Sequence, residues 1–123
     1  MEEPNYFFDT YALFEIVQGN PRFESFMDIP LTTSFMNLIE FYWALCRDSG
    51  DKRARLEYLR LRGACIDILD EDVFEAMRFR LEHRKKRFSY ADSIGYILAR
   101  RKSLRFLTGD RAFQGMENVE FVR

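Results

Sequence analysis

The sequence predicts an α/β protein built on a mostly parallel sheet. Three observations carry this. Five short apolar runs, each bounded by turn or cap signals, have the length and composition of buried strands. Stretches of helical periodicity separate them. The chain is 123 residues long with no internal repeat or low-complexity segment, which suits one domain over residues 1–123.

Tyr6, Phe7 and Phe8 form the first run, ended by Asp9. Residues 10–17 read as a helix with Ala12, Leu13, Ile16 and Val17 on one side. Gly19-Asn20-Pro21 breaks it, and Pro21 suits the first turn of a short helix reaching Phe26. Residues 30–33 are expected as a short strand. Ser34 is an N-cap for a long apolar helix over residues 35–47, stopped by Asp48-Ser49-Gly50.

Residues 52–62 form a charged helix with Leu56, Tyr58, Leu59 and Leu61 as apolar positions and Gly63 as its C-cap. Residues 64–68 read as a strand. Asp70-Glu71-Asp72 places negative charge at the start of the next helix, and bases between residues 78 and 87 lie toward its end; both suit the helix dipole. Residues 89–102 are a further helix. Residues 104–108 are a strand turned by Gly109-Asp110, and residues 118–122 are the last strand.

The composition is 47% apolar and 32% charged, with 13 Phe, 6 Tyr and 1 Trp, which excludes a disordered chain. A chain of this size buries roughly 65–70% of its unfolded surface, enough for one core. Two cysteines, Cys46 and Cys65, lie inside apolar patterns and read as free thiols rather than a disulfide framework. Met1-Glu2-Glu3 has the wrong charge for a signal peptide, and no uncharged stretch approaches the ~18 residues of a membrane span. The expectation is a soluble, cytoplasmic protein. Six Asn and Gln against 39 charged residues hint at a thermophilic source.

The net charge of −1 hides an asymmetry. Residues 1–51 hold 9 acids and 2 bases, whereas residues 52–123 hold 11 acids and 17 bases. Between residues 78 and 111 there are 11 bases and 3 acids. A nearly neutral total therefore does not exclude a polyanionic ligand.

Four carboxylates sit where packing alone does not put them. Asp9 ends an apolar strand, where it also suits an N-cap. Glu40 lies between Leu38-Ile39 and Phe41-Tyr42-Trp43, in a helix apolar on most sides, so it needs a partner, a metal or an open cleft. Asp92 follows Ser89 at capping-box spacing. Asp110 follows a strand and a glycine, as a turn residue would. In an open α/β sheet, ligands bind beyond the carboxyl ends of the strands. Asp9 and Asp110 stand at such ends, and Glu40 and Asp92 lie in the first turns of helices leaving the same edge. Four acids gathered there repel one another unless a cation is present, and an all-oxygen donor set selects Mg²⁺ or Mn²⁺.

Asp9-Thr10-Tyr11-Ala12-Leu13, Glu40 in its apolar helix, Tyr90-Ala91-Asp92 and Thr108-Gly109-Asp110-x-x-Phe113 together resemble a PIN-domain ribonuclease, most closely the small VapC-type toxins of prokaryotic toxin–antitoxin pairs. The resemblance runs over essentially the whole chain. It implies a three-layer α/β/α fold with strand order 3-2-1-4-5, and Asp9 and Asp110 on neighbouring strands. It also implies that Asp9, Glu40, Asp92 and Asp110 hold one or two Mg²⁺ or Mn²⁺ ions and catalyse hydrolysis of RNA. Thr108 would support a ligand carboxylate from behind. The implied partners are a cognate antitoxin and a second copy of the chain.

One histidine, His83, excludes a two-histidine acid–base ribonuclease, and no Ser/His/Asp set, Cys/His pair or zinc spacing is present. His83 reads as a solvated helix-end residue. Arg84, Lys85, Lys86 and Arg87, which precede the Asp92 helix, are the expected RNA-backbone contacts, followed by Arg100, Arg101, Lys102 and Arg111. Tyr11 and Phe113 flank two of the acids and serve either as base-stacking platforms or as core. Two other readings remain at this stage: a non-catalytic module of the same fold that binds RNA or protein, and a metal-dependent DNA nuclease.

Overall fold

In the first strand, β1 (Tyr6–Phe8), the side chains alternate between two separate cores. Phe7 faces a cluster with Phe79, Phe88, Tyr96, Phe106 and Phe113; Phe8 faces one with Leu13, Leu38, Phe41, Leu45 and Leu107. A strand apolar on both faces is what a parallel sheet covered by helices on both sides requires. The structure is a computed structural model describing residues 5–123. Met1, Glu2 and Glu3, read above for targeting, lie outside the described residues.

β4 (Arg105–Thr108) pairs parallel with β1, setting Phe7 opposite Phe106 and Phe8 opposite Leu107. β5 (Val119–Phe121) pairs parallel beyond it. On the other side of β1, Phe7 and Thr32 form a single parallel bridge. The Phe8 N–H donates to the Thr32 carbonyl at 2.8 Å, and the Thr33 hydroxyl donates to the Phe8 carbonyl at 2.7 Å. β2 (Thr33–Ser34) continues from that bridge and pairs parallel with β3 (Cys65–Ile66). The strands thus lie in the order 3-2-1-4-5, bonded as two ladders, β1-β4-β5 and β2-β3, that meet at one bridge.

The helices form the outer layers. α1 (Thr10–Gln18), α2 (Phe35–Ser49) and α3 (Asp51–Leu61) cover the Phe8 face, burying Ala12, Leu13, Leu38, Phe41, Leu45, Ala54 and Leu61. α4 (Asp70–Glu82) and α5 (Tyr90–Arg101) cover the Phe7 face. α5 packs unusually close to the sheet, because a Cβ at Gly95 would meet Asn37 Oδ1 and Phe7 at 2.9 Å. Asp72, in the first turn of α4, is 2% exposed; it accepts the Leu69 N–H at 2.8 Å and pairs with Arg101 at 2.7 Å. Gly19 closes α1 in the left-handed region at φ 76°, as the breaker predicted.

Several boundaries differ from expectation. The second strand was expected at residues 30–33 but lies at Thr33–Ser34; Pro30 brings no N–H, and pairing starts only where Thr32 reaches β1. The third strand is two residues, not five. Gly63 is not a left-handed C-cap: α3 passes directly into a 3₁₀ turn, Arg62–Ala64, which contains it. α2 runs on to Ser49. α4 stops at Glu82, so only Arg78 and Arg80 of the expected bases lie on it. A 3₁₀ turn, Arg84–Lys86, and Arg87 at φ 57° then return the chain to the core at Phe88.

Cys46 and Cys65 are free and half-buried. Burial pushes the Cys65 thiol pKa up. Among the described residues no helix is long and apolar enough to cross a membrane.

Candidate active site

Asp9, Glu40, Asp92 and Asp110 all line one open cavity of about 470 Å³ at the carboxyl edge of the sheet. Each arrives there by an ordinary local rule. Asp9 follows β1 directly and caps α1, with Oδ1 accepting the Ala12 N–H at 2.8 Å. Asp92 closes a capping box with Ser89: Oδ2 accepts the Ser89 N–H at 2.8 Å, and the Asp92 N–H donates to Ser89 Oγ at 3.0 Å. Asp110 caps the 3₁₀ turn Arg111–Phe113 through the Ala112 N–H at 2.9 Å. Capping and lining the cavity are therefore not alternatives. The cap bond uses one oxygen and fixes the direction of the carboxylate.

Glu40 is held differently. It is the sixth residue of α2, in the second turn rather than the first, and it is half-buried at an open cleft. Its Oε1 accepts the Thr10 hydroxyl at 3.0 Å. The Asn37 amide donates to Thr10 Oγ1 at 3.2 Å, and Ser34 Oγ donates to Asn37 Oδ1 at 2.7 Å. Thr10 and Asn37 were not singled out from the sequence. The signal was present, since Thr10 follows Asp9 and Asn37 lies one turn before Glu40.

Thr108, fully buried at the end of β4, joins two of the acids. Its hydroxyl bonds the Asp9 carboxylate and accepts the Asp110 N–H at 3.0 Å. Gly109 permits this close geometry, because a Cβ there would run into the Tyr11 ring and the Val122 carbonyl.

The electrostatics follow from burial and like charge. Asp9, 2% exposed, has its pKa pushed up to about 8, first by burial and then by the charges of Asp92 and Asp110; Thr108 and the Ala12 N–H oppose the shift. Asp92 is pushed up to about 6, again by burial first, with Glu40 and Asp110 adding repulsion. The cavity holds five acids, including Glu15, against two bases, Arg47 and Arg123. A larger cavity of about 640 Å³ lines α4 and α5, but Arg78 and Arg100 offset most of the charge of its Glu75, Glu82 and Glu117. Unbalanced negative charge singles out the smaller one.

The donor set is all carboxylate oxygen, which suits a hard divalent ion. Among the described residues no three acid, histidine or cysteine side chains close tightly enough to bracket an ion directly. The arrangement fits an ion that keeps several of its waters and touches one or two carboxylates, the usual habit of Mg²⁺.

Arg47 and Arg123 were missed in the sequence. Arg47 lies seven residues after Glu40, two turns along the same face of α2, so helical spacing could have found it. Arg123 Nη1 donates to the Gly109 carbonyl at 2.9 Å, a tertiary contact with no local signal. The expected basic residues Arg84, Lys85, Lys86 and Arg87 are exposed and do not line the acid cavity. Lys86 donates to the Ala112 carbonyl, two residues after Asp110, at 2.9 Å.

Arg101 is committed to buried Asp72 rather than to a ligand. Phe113 is fully buried against Phe88, Tyr96 and Phe106, so it is core and not a stacking platform. Tyr11 lines the cavity, half-buried. His83 caps the C-terminus of α4, its Nδ1 2.9 Å from the Phe79 carbonyl.

One family model, the PIN domain, matches residues 6–119. Solved structures share the fold. A toxin–antitoxin complex from Klebsiella pneumoniae superposes with a TM-score of 0.73 at 18% identity, covering 94% of this chain and 96% of that one. A sarcin–ricin-loop-cleaving VapC20 toxin from Mycobacterium tuberculosis gives 0.73 at 18% identity, covering 94% and 98%. A protein from Pyrobaculum aerophilum gives 0.69 at 16% identity, covering 96% and 89%. No curated protein sequence matches.

Proposed function

The chain belongs to the PIN-domain family, and from that premise we propose that residues 1–123 form a single metal-dependent endoribonuclease domain, the toxin of a toxin–antitoxin pair. The observation that carries this reading is the convergence of Asp9, Glu40, Asp92 and Asp110 on one cavity without matching positive charge. Two of those acids hold their protons far more tightly than an ordinary carboxylate. A cluster of this kind is costly until a cation offsets it.

Mg²⁺ or Mn²⁺ bound there would supply positive charge beside the phosphoryl oxygens and a Lewis acid for water. The chain's own residues do the rest. Asp9, Glu40, Asp92 and Asp110 would hold the ion, directly or through water, in directions fixed by their caps and by Thr10. Thr108 keeps Asp9 and Asp110 in register across β1 and β4. The bases of residues 84–87 receive the RNA backbone beside the cavity, with Lys86 at the Asp110 turn. By family likeness the products carry 5′-phosphate and 3′-hydroxyl ends. The compartment for this work is the cytoplasm.

A small antitoxin protein and a second copy of the chain are the proposed partners. The toxin–antitoxin complex among the fold relatives supports the first. So does a strip of exposed apolar side chains on α2 and α3, namely Phe35, Ile39, Trp43, Leu56 and Leu59. One fold relative cuts the sarcin–ricin loop, which makes looped RNA the first substrate to try.

The test is cleavage of end-labelled RNA by the purified chain with Mg²⁺ or Mn²⁺. Cutting is expected with metal, and loss of cutting in excess EDTA and in Asp9→Asn and Glu40→Gln. Full activity in EDTA sinks the proposal. Cleavage of DNA but not matched RNA reassigns the substrate, and cellular effects unchanged in both variants indicate a non-catalytic module.

A further inference from the structure

We propose that the groove between the end of α4 and the start of α5 is a nucleobase subsite, which takes an unpaired RNA base close to the scissile phosphate. This rests on the ribonuclease reading above. The groove, about 480 Å³, has buried Phe88 and half-buried Met77 beneath it and exposed Leu81 at its rim, and around it stand Arg80, Arg84 and Arg87 with no acid. Tyr90, at its edge, is 57% exposed although it opens a helix whose following residues are nearly all buried.

The groove is preformed. Arg80 Nε donates to the Phe88 carbonyl at 2.8 Å, and its guanidinium lies over the Tyr90 ring at 4.6 Å. Arg87 is set in the left-handed region at φ 57°, its N–H bonded to the Arg84 carbonyl, which brings both arginines to the same groove.

The chemistry selects the occupant. An aromatic ring, planar cations and an apolar floor suit a planar heterocycle that carries a phosphate on its sugar. An apolar protein segment would have to desolvate Arg84 and Arg87, two exposed arginines whose guanidinium groups have no partner among the described residues. The position selects the substrate. Tyr90 lies between Ser89 and Asp92, both of which line the acid cavity, so groove and cavity share the start of α5 as a common wall. Stacking tolerates every base, so this subsite recognises an unpaired nucleotide, and hence loops and single strands, more than a particular sequence.

The test uses a short RNA with a mapped cut site and a set of copies carrying an abasic ribose at each flanking position. Affinity is read by fluorescence anisotropy on Glu40→Gln protein with Mg²⁺, so that binding is separate from cleavage. One abasic position should weaken binding about tenfold. The same position should have no further effect in a Tyr90→Ala background, and Tyr90→Phe should behave as the parent. Arg84→Ala, a second variant at an exposed residue, should reduce the slope of log affinity against log salt by about 0.7. If every abasic copy binds alike, or the sensitive position stays sensitive without Tyr90, the subsite is overturned, whether a protein segment or nothing occupies the groove. Cleavage of the intact RNA by the unmodified chain is run in parallel. Cleavage with unchanged affinities removes only the subsite; absence of cleavage under Mg²⁺ and Mn²⁺ removes the ribonuclease reading and the subsite with it.

Discussion

The Thr10 hydroxyl lies 3.0 Å from Glu40 Oε1, so the first residue of α1 fixes a carboxylate carried by α2. Thr10→Val keeps the shape and removes both the donor to Glu40 and the acceptor for Asn37. RNA cleavage should fall about 10- to 100-fold, the usual cost of losing a group behind a metal ligand. Thr10→Ser should retain most activity. Single-turnover rates at saturating Mn²⁺ check both, and equal rates for Thr10→Val and the parent would remove Thr10 from this role.

Asp9 has two duties that substitution can separate. Asn caps a helix as well as Asp, so Asp9→Asn should fold normally while losing cleavage by at least about 100-fold. Asp9→Ala should lose the activity and also about 1 kcal/mol of stability from the missing cap. Urea unfolding of the two variants, alongside the cleavage assay, separates them.

The raised acids set a pH dependence. In the metal-free protein, Asp9 titrates at about 8 and Asp92 at about 6, both above the 3.8 of an unfolded aspartate. Between pH 4 and 8 the folded chain therefore binds more protons than the unfolded one. Stability falls as pH rises through this window. Added Mg²⁺ or Mn²⁺ competes with those protons, so its stabilising effect should be small at pH 5 and largest at pH 8. Thermal melts with metal and with EDTA at both pH values check the sign. A metal-induced rise in Tm that is larger at pH 5 would contradict it.

Arg101 neutralises Asp72, which is 2% exposed at the start of α4. Arg101→Met leaves that charge without its partner and should destabilise the fold by about 3 kcal/mol. Asp72→Asn combined with it should recover part of the loss. Cleavage per folded molecule should not change, because neither residue lines the acid cavity. Chemical denaturation of both variants measures the first effect.

The architecture was legible because buried parallel strands are apolar on both faces. Tyr6-Phe7-Phe8 and Phe106-Leu107 announce themselves in this way. Asp9 and Glu40 were legible because they interrupt apolar runs, whereas Asp92 and Asp110 look like an ordinary cap and turn and became legible only through their order and spacing with the other two. Less legible was whatever depends on partners distant in sequence. Thr33–Ser34 is a strand only because β1 and β3 flank it. Phe113 sits beside Asp110 in sequence, yet its ring turns into the core against Phe88 at 4.4 Å. Gly63 carries the usual signal of a helix end, but a tight turn takes it up instead. Arg47 was hidden in the acidic half of the chain, and Arg123 approaches the site only through the Gly109 carbonyl.

The single bridge between Phe7 and Thr32 gives the molecule a seam. Asp9 and Asp110 ride on the strands of one half, whereas Glu40 hangs from the strand pair of the other. The cavity is thus assembled across a joint instead of carved within one block. The Thr10–Glu40 hydrogen bond and the shared core of Phe8, Leu38, Phe41 and Leu107 span that joint, so the geometry of the site depends on how the two halves are fastened.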